Sequence, residues 1–462
     1  MKHQHNIMLN SDSYKFTQWN QYPPGTEYVY SYIESRGGLW DKTLFYGLQA
    51  FEMEYLSEPI TMEQIDYAES VINAHIGPGT FYRKGWEHIL KEHGGRLPVI
   101  IKSVAEGTLV PTKNVLVTIE NTDPKCWWLT SFLETALLRA VWYPTTVATN
   151  SYVSKQIIKK YLEETGDPSL INFKLHDFGF RGVSSWESAA LGGSAHLVNF
   201  MGTDTIASLL AAREYYGADM AGFSIPAMEH STVTSWGRDH ETDAFRNMLR
   251  QYAKPNALVA CVSDSYDIFE ACERWGTELK QQVLDSGAIV VIRPDSGNPS
   301  EIVVKCLQIL DKHFGHTVNE KGFRVLNNVR VIQGDGIDHT NINSILFCMK
   351  LAFYSADNVA FGQGGALLQQ VNRDTQMFAM KCSAAKVQGE WVDVYKQPAT
   401  DSKKDSKKGR LMLLEHNNSY ATVRWEEGLK GVDALTVRFE NGEIKNKTTF
   451  DEIRARANKQ GG

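Results

Sequence analysis

Between residues 170 and 365, short apolar runs alternate with stretches whose apolar positions recur at helical spacing. The runs Ile171–Leu175, Gly222–Ile225, Ala257–Val262, Ala288–Ile292, Val329–Ile332 and Val359–Phe361 predict strands. Thr205–Tyr216, Asp243–Tyr252, Tyr266–Leu284, Glu301–Phe314 and Asn341–Phe353 predict helices between them. Strand followed by helix, repeated, implies parallel strands joined by crossover helices. Residues 1–145 have another texture and mix short strands with helical pieces. Val99–Ile119 reads as two β segments around the turn cluster Pro111-Thr112-Lys113-Asn114, and Thr130–Trp142 as a helix. Trp127 and Trp128 read as core or interface anchors. The C-terminal segment turns β-rich and polar. Asp401–Arg410 predicts an exposed loop, and the chain from Val432 a short strand, a turn at Asn441-Gly442 and a fraying tail.

With 462 residues, 42% hydrophobic and 22% charged, the chain has the balance of a folded protein of two or three domains and excludes wholesale disorder. The net charge is −6. A protein that wraps nucleic acid is usually basic, so anion binding here must come from local clusters. No apolar run reaches the roughly 18 residues that span a bilayer, and the polar start predicts no secretory leader. The six cysteines are scattered without a Cys-x-x-Cys pair. That argues against a disulfide framework or a zinc site of ordinary spacing, and for a reduced, cytoplasmic protein.

Each predicted strand ends in polar, charged or glycine residues. Leu175 leads to His176, Asp177, Phe178 and Arg181; Ile225 to Glu229 and His230; Val262 to Asp264. Ile292 leads to Arg293 and Asp295, Ile332 to Gly334, Asp335 and Gly336, and Phe361 to Gly362, Gly364 and Gly365. In a (β/α) barrel those ends converge on one face, where sites are built. Any one of them reads more readily as a solvated turn; six in succession are harder to dismiss so. Arg181, His230, Arg293 and Arg373 supply anion-binding donors, and Asp204, Asp295 and Asp335 supply acceptors. The two glycine clusters admit a phosphate close to the backbone. Neither is followed by the Lys-Ser/Thr of a nucleotide-binding P-loop. Phe178 at a strand end invites a flat ring. The pattern suggests a sugar phosphate and a planar ring on a barrel.

The segments DSYKFTQWNQYPPGT (12–26), FYGLQ (45–49), WYPTTVATNS (142–151), KLHDFGFRGVSS (174–185), HLVNFMGTDT (196–205), EHSTVTSWG (229–237), IRPDSGNP (292–299), VIQGDGID (331–338) and SKKGRL (406–411) closely resemble the nicotinamide phosphoribosyltransferases, in order and nearly end to end. The resemblance implies the type II phosphoribosyltransferase fold, an α/β class irregular (β/α) barrel with a β-rich α+β companion domain. Placed on this chain, the barrel is 146–389, and the companion is 1–145 with 390–462, contributing to a homodimer interface. The implied activity moves phosphoribosyl from 5-phosphoribosyl 1-pyrophosphate to nicotinamide in NAD salvage, with Mg²⁺ and with ATP as optional co-substrate. By the same resemblance nicotinamide lies between Phe178 and the second subunit's counterpart of Tyr14, with Asp204 on its amide and Arg293 bracing the ring. Asp295, Gly334 and Asp335 meet the ribose hydroxyls. Gly364, Gly365 and Arg373 hold the 5′-phosphate. Arg181, His230 and Arg293, with Arg36, Lys381 and Lys396 from the partner, face the pyrophosphate. His230 matches a histidine that is phosphorylated from ATP, and Asp264 the acid that orients it. The missing surface insertion after Arg36 suggests a bacterial or phage form. Phe180, Trp186, Ala260 and Ala366 depart from the usual residues.

Other residues carry blander expectations. His176 and Asp177 read as hydrogen-bonding within the barrel mouth, Glu229 as structural, and the SKKDSKKGR run as a solvated face, with a lysine reaching the partner's phosphates as the alternative. His3, His5, His88 and His93 read as surface residues without a role. Three rival functions remain. Nicotinate phosphoribosyltransferase shares the fold, and a non-catalytic binder could keep the scaffold. An aldolase-like barrel would want a Schiff-base lysine at a strand end, and none follows the strong strands.

Overall fold

The computed structural model describes residues 5–397, 406–417, 419–427 and 431–460. One layer is a seven-stranded sheet in the order Glu390–Asp393, Phe378–Val387, Thr26–Ser35, Val115–Asn121, Val99–Ser103, Thr436–Glu440 and Glu443–Ile444. Its ladders are antiparallel. Ile33, Val99, Ile101, Val115 and Val117 share a core with Ile65, Ile72, Trp86 and Ile89 of the helices Met62–His75 and Arg83–Glu92. The sheet takes in Phe378–Val387, on the barrel side of the boundary expected at 389/390.

The second layer is a six-stranded parallel sheet in the order Gly202–Thr203, Leu175–Asp177, Val359–Gln363, Val329–Gln333, Ile289–Arg293 and Leu258–Val262. Its two edges are joined by the stretch from Phe223 to Met228. Phe223 bridges Gly202 and Ala227 bridges Ala260, both in parallel sense. The ring is therefore an irregular α/β barrel. Inside it, Ala260, Val291 and Ile332 are buried with Phe178, Ile225 and Ala360 packed on them. Outside it, Val259, Val290, Val331 and Phe361 face the crossover helices, which supply Leu249, Trp275, Leu307 and Ile345. The strands read as unbroken apolar runs because both faces are covered.

Glu134–Thr165, 32 residues long, runs between the layers with Pro144 inside it. A proline there lacks the amide that would close a helical turn. Its ring seats on Gly47, whose φ is +104° and where a Cβ would stand 2.3 Å from Pro144 Cγ. The next turns point threonines at a strand edge: Leu44 N–H donates to Thr149 Oγ1 at 2.9 Å and Tyr46 N–H to Thr145 Oγ1 at 3.3 Å.

Four expectations are corrected. The first barrel strand is Leu175–Asp177, not Ile171–Leu175. Asp167 caps a 3-10 turn over Pro168–Phe173, accepting from Ser169 N–H at 2.9 Å. Gly222–Ile225 makes single bridges only, and a two-residue strand at Gly202–Thr203 takes the edge. Tyr266–Leu284 is two helices, Ile268–Gly276 and Lys280–Ser286, parted where Gly and Thr lower helix propensity. The fraying tail is a helix, Phe450–Lys459, closed by a Thr449/Glu452 capping box. It buries Phe450 and Ile453, and its Arg454 donates to the Leu197 and Ala221 carbonyls. The expected loop at Asp401–Arg410 lies partly outside the described residues. Among the described residues no helix is long and apolar enough to cross a membrane.

Candidate active site

Parallel register brings the C-terminal ends of the barrel strands to one rim, and the chemistry-bearing residues stand there in two adjoining groups. The first surrounds the Phe178 ring. Phe178 follows Leu175–Asp177, and its N–H donates to the Gln363 carbonyl at 3.0 Å. A Cβ at Gly362 would lie 2.0 Å from the ring's Cε2, and one at Gly334 3.5 Å from it. The ring therefore lies across two glycines on neighbouring strand ends. Gly364 approaches the Phe178 carbonyl, and Gly365 abuts Gly182, next to Arg181, in the 3-10 turn Phe180–Gly182. Asp204 hangs from the same edge, its N–H donating to the Asp177 carbonyl at 2.9 Å. Ser224 Oγ donates to Asp204 Oδ1 at 2.5 Å, which leaves Oδ2 open.

Asp177 holds this corner from behind. Its Oδ1 accepts the Gly179 N–H at 2.7 Å, and Oδ2 lies against Gly193. Burial pushes the carboxyl up to about 6, against the Gly179 N–H, which favours the charged form. His176, on the barrel side, meets the Phe173 carbonyl at 3.0 Å, and burial lowers its pKa. Both are the local hydrogen bonds expected of them.

The second group is charged. His230 Nε2 meets Asp264 Oδ1 at 2.9 Å. Asp264 Oδ2 accepts the Asp295 N–H at 3.1 Å and the Ser296 hydroxyl at 2.8 Å. One carboxylate thus joins the loops after three strands. Arg293 reaches Asp295 at 3.8 Å, and its Nε is buried with no hydrogen-bond partner. Burial raises the pKa of Asp295, helped by Asp264 and Asp335 and opposed by Arg293 and His230. These five groups therefore feel one another's charge. The arrangement can hold a polyanion between Arg293 and His230 while carboxylates face hydroxyls or a divalent ion.

A further set of cations stands on the antiparallel layer. Lys381 lies in the strand Phe378–Val387, opposite Tyr32. Its pKa is lowered by burial first and then by Arg36, Lys396 and Arg373, with Glu134 opposing. These four cations gather on one chain. Tyr14 stands apart on the 3-10 turn Ser13–Asn20 and is 58% exposed. Of the lysine run, Lys407 pairs with Glu34 and Lys408 lies 3.7 Å over the Tyr395 ring, so these two are not simply solvated.

Ser224 is absent from the sequence-based set, and Ser296 carries no role in it. A lone serine two residues after Gly222 carries no signal of its own. Gly362 was read as part of a phosphate-cradling cluster; the structure sets it under the Phe178 ring. A separate cavity of about 570 Å³ lies beside the Arg181 turn, lined by Tyr55, Arg139, Trp142, Trp186 and Leu368.

Residues 173–446 match the Nicotinate phosphoribosyltransferase (NAPRTase) family, and residues 6–101 match the Nicotinamide phosphoribosyltransferase N-terminal domain. The chain is 54% identical to the nicotinamide phosphoribosyltransferase of Xanthomonas campestris over 98% of each chain. It is 31% identical to that of Acinetobacter baylyi, over 97% of this chain and 96% of the other. In fold it is similar to nicotinate-nucleotide pyrophosphorylase from Pyrococcus furiosus, with a TM-score of 0.65 at 16% identity, covering 99% of this chain and 96% of that one. Human nicotinic acid phosphoribosyltransferase follows with a TM-score of 0.54 at 16% identity, over 97% and 92%.

Two outcomes follow from the geometry. Gly362→Ala drives a methyl into the Phe178 ring and should cost about 1–3 kcal/mol, the usual penalty of overpacking. A denaturant midpoint equal to wild type would show that the ring is not fixed there. Asp177 is an acid whose pKa is raised from 3.8 to about 6 in the fold, so its contribution to stability falls as pH rises from 4 to 6 and stays low above. Asp177→Asn should remove that loss, so the variant-minus-wild-type stability should grow by up to ~3 kcal/mol across this window. A difference independent of pH would contradict the assignment.

Proposed function

Because the chain belongs to the nicotinate phosphoribosyltransferase family, and within it stands with the nicotinamide phosphoribosyltransferases, we propose the following division of labour at its barrel mouth. The activity is transfer of phosphoribosyl from 5-phosphoribosyl 1-pyrophosphate to nicotinamide, giving nicotinamide mononucleotide and pyrophosphate. The C1–O bond breaks with its electron pair leaving on the pyrophosphate. The lone pair of the pyridine nitrogen forms the new C1–N bond. That nitrogen carries no proton, so no general base is called for. The protein's work is to align the two reactants and to receive the leaving charge.

Phe178 offers its face to the pyridine, with the glycines at 334 and 362 keeping the ring flat across the strand ends. Asp204 accepts from the carboxamide NH2 through Oδ2, its other oxygen being held by Ser224. A nicotinate carboxylate there would meet like charge, which disfavours it. This single observation, an acid fixed by a serine beside the aromatic, carries the preference for the amide. Arg293 braces the ring and, with Arg181 and His230, faces the pyrophosphate, where guanidinium forks suit phosphate oxygens. Asp295, Gly334 and Asp335 meet the ribose, and Gly364, Gly365 and Arg373 the 5′-phosphate.

Asp295 and Asp335 are hard oxygen donors close enough to feel each other's charge, a set that suits Mg²⁺ bound with a diphosphate. When bound, that ion neutralises charge on the leaving group. His230 is the site for a phosphoryl group from ATP. Its Nε2 rests on Asp264, so Nδ1 is the nitrogen turned outward as nucleophile. A homodimer shares the site, the partner supplying Tyr14, Arg36, Lys381 and Lys396. Exposed Tyr14, with Lys15 beneath it paired to Glu134, supports this. A cytoplasmic location is supported by six cysteines all free.

The test is to mix the protein with Mg²⁺, phosphoribosyl pyrophosphate and either base, with and without ATP, and to follow mononucleotide formation. Nicotinamide should be strongly preferred. Asp204→Ser should lower kcat/KM for nicotinamide about tenfold, ~1.4 kcal/mol, and raise the relative use of nicotinate. An unchanged preference would move selectivity elsewhere. The shared site is checked by mixing inactive Tyr14→Ala and Phe178→Ala chains after mild dissociation. Hybrid dimers carry one intact site, so activity should return. No recovery in proven hybrids means that each chain builds its own site.

A further inference from the structure

His88 and His93 were expected to be idle surface residues, and zinc chemistry was set aside on cysteine spacing. The fold overturns the first expectation. His88 lies on the helix Arg83–Glu92 and His93 caps its end. Both turn their Nε2 atoms onto one oxygen, Asp123 Oδ2, each at 2.7 Å. Asp123 Oδ1 is engaged separately, accepting the Lys125 N–H at 2.8 Å, and the Asn121 amide donates to the Asp123 carbonyl at 2.8 Å. The carboxylate is thereby aimed. Cys126, one turn on, completes the group: its Sγ and the donor atoms of His88 and Asp123 all lie within 4.8 Å of one another.

We propose that His88, His93, Asp123 and Cys126 form a site for a divalent ion of the zinc class. Two imidazoles, a carboxylate and a thiolate are the donor types that zinc takes, at bond lengths of about 2.0–2.3 Å, and a nitrogen–sulfur set disfavours magnesium or calcium. His93 reaches only Asp123 among these donors and lies outside that group of three, so seating the ion needs the two Nε2–Oδ2 pairs to open from 2.7 Å and His93 and Cys126 to close to the roughly 3.3–3.8 Å donor spacing of a tetrahedron. The imidazole and carboxylate side chains keep 16–27% of their surface exposed, which provides an entry path. The Lys125 N–H on Asp123 is the kind of outer contact that orients a ligand. Binding breaks the Cys126 S–H bond, and its proton goes to solvent. Loading should therefore release a proton and strengthen as pH rises.

The place gives the ion a mechanical role. Cys126 leads through Trp128, which packs on Trp86 of the histidine-bearing helix at 4.7 Å between ring centroids. Next come Phe132, whose carbonyl accepts from Ser11 at 2.9 Å, Glu134, which pairs with Lys15, and Thr135, which donates to Asp12 at 2.6 Å. An ion here pins the Arg83–Glu92 helix to the segment that carries Tyr14.

The test uses the full chain, reduced and stripped with chelator, titrated with Co²⁺ and followed by absorbance. One equivalent should produce a thiolate-to-cobalt charge-transfer band with tetrahedral visible bands, displaced by Zn²⁺, and Zn²⁺ should raise the thermal midpoint. Cys126→Ser should abolish the charge-transfer band, and His88→Ala and His93→Gln should each weaken binding at least tenfold. Cys348→Ser, outside the group, should leave the band unchanged. Circular dichroism establishes that each variant is folded; His93→Gln, at the exposed end of the helix, serves if Cys126→Ser is not. A folded wild type without the band at micromolar Co²⁺, or a band that survives these substitutions, overturns the site and leaves a hydrogen-bonded histidine pair.

Discussion

A side-chain carbon at position 362 would stand 2.0 Å from the Phe178 ring, and no real contact is that short. The flatness of the site depends on this constraint. Phe178 is half-buried, with one face over Gly362 and Gly334 and its edge against the inner layer of Ala260, Val291 and Ile332. Any larger residue at 362 would push the ring off the strand ends. The Gln363 carbonyl, which takes the Phe178 N–H, fixes the backbone on the same strand end. Ring and platform are therefore placed by one pair of neighbouring strands, Leu175–Asp177 and Val359–Gln363. Sites built on strand ends hold their geometry better than sites on long loops.

The charged half of the mouth has a comparable keystone. Asp264 serves His230, the Asp295 N–H and the Ser296 hydroxyl with its two oxygens. A carboxylate this enclosed would be costly without partners. With three it ties the loop after Met228 to the loop after Arg293, so the imidazole and the guanidinium face the same volume. Arg293 keeps a buried Nε without a partner. A donor left unsatisfied at this point is a cost that an anion can relieve.

Much of this was legible from the sequence, and what was not has physical causes. Leu258–Val262, Ile289–Arg293 and Val329–Gln333 are mostly apolar because the barrel covers both faces, so their runs stood out. Gly202–Thr203 is two residues long and held by its neighbours, and no pattern of that length can be read. Ile171–Leu175 looked like a strand, but Asp167-Pro168 spends those residues on a 3-10 turn and Lys174 turns inward to the Ala356, Asp357 and Val359 carbonyls. The tail was read as fraying because its polar residues outnumber the apolar ones. Three apolar positions on one face, with Arg454 on two carbonyls, were enough to dock it. His88 and His93 are five apart, and the acid that unites them is thirty residues further on. Only the fold could bring these together. Asp204 and His230 stood out at strand ends, and family likeness paired His230 with Asp264; the Ser224 support of Asp204 needed the geometry.

The two layers are joined at a few strong points, and this bears on how a site could straddle two chains. The helix Glu134–Thr165 spans both layers, seated through Pro144 on Gly47 and through threonines on the Leu44–Tyr46 edge. At its start Glu134 and Thr135 anchor the segment carrying Tyr14; further along, Asn150 donates to the Ala366 carbonyl beside the glycine cluster at 3.0 Å. One rigid rod thus fixes the tyrosine that would be offered to a partner and the phosphate loop that would stay at home. A rod of this kind does not let the two move independently. Under the proposed shared site, a second copy docked at the mouth would ask little rearrangement of either chain, and the ordering cost would fall on the substrates rather than on the protein.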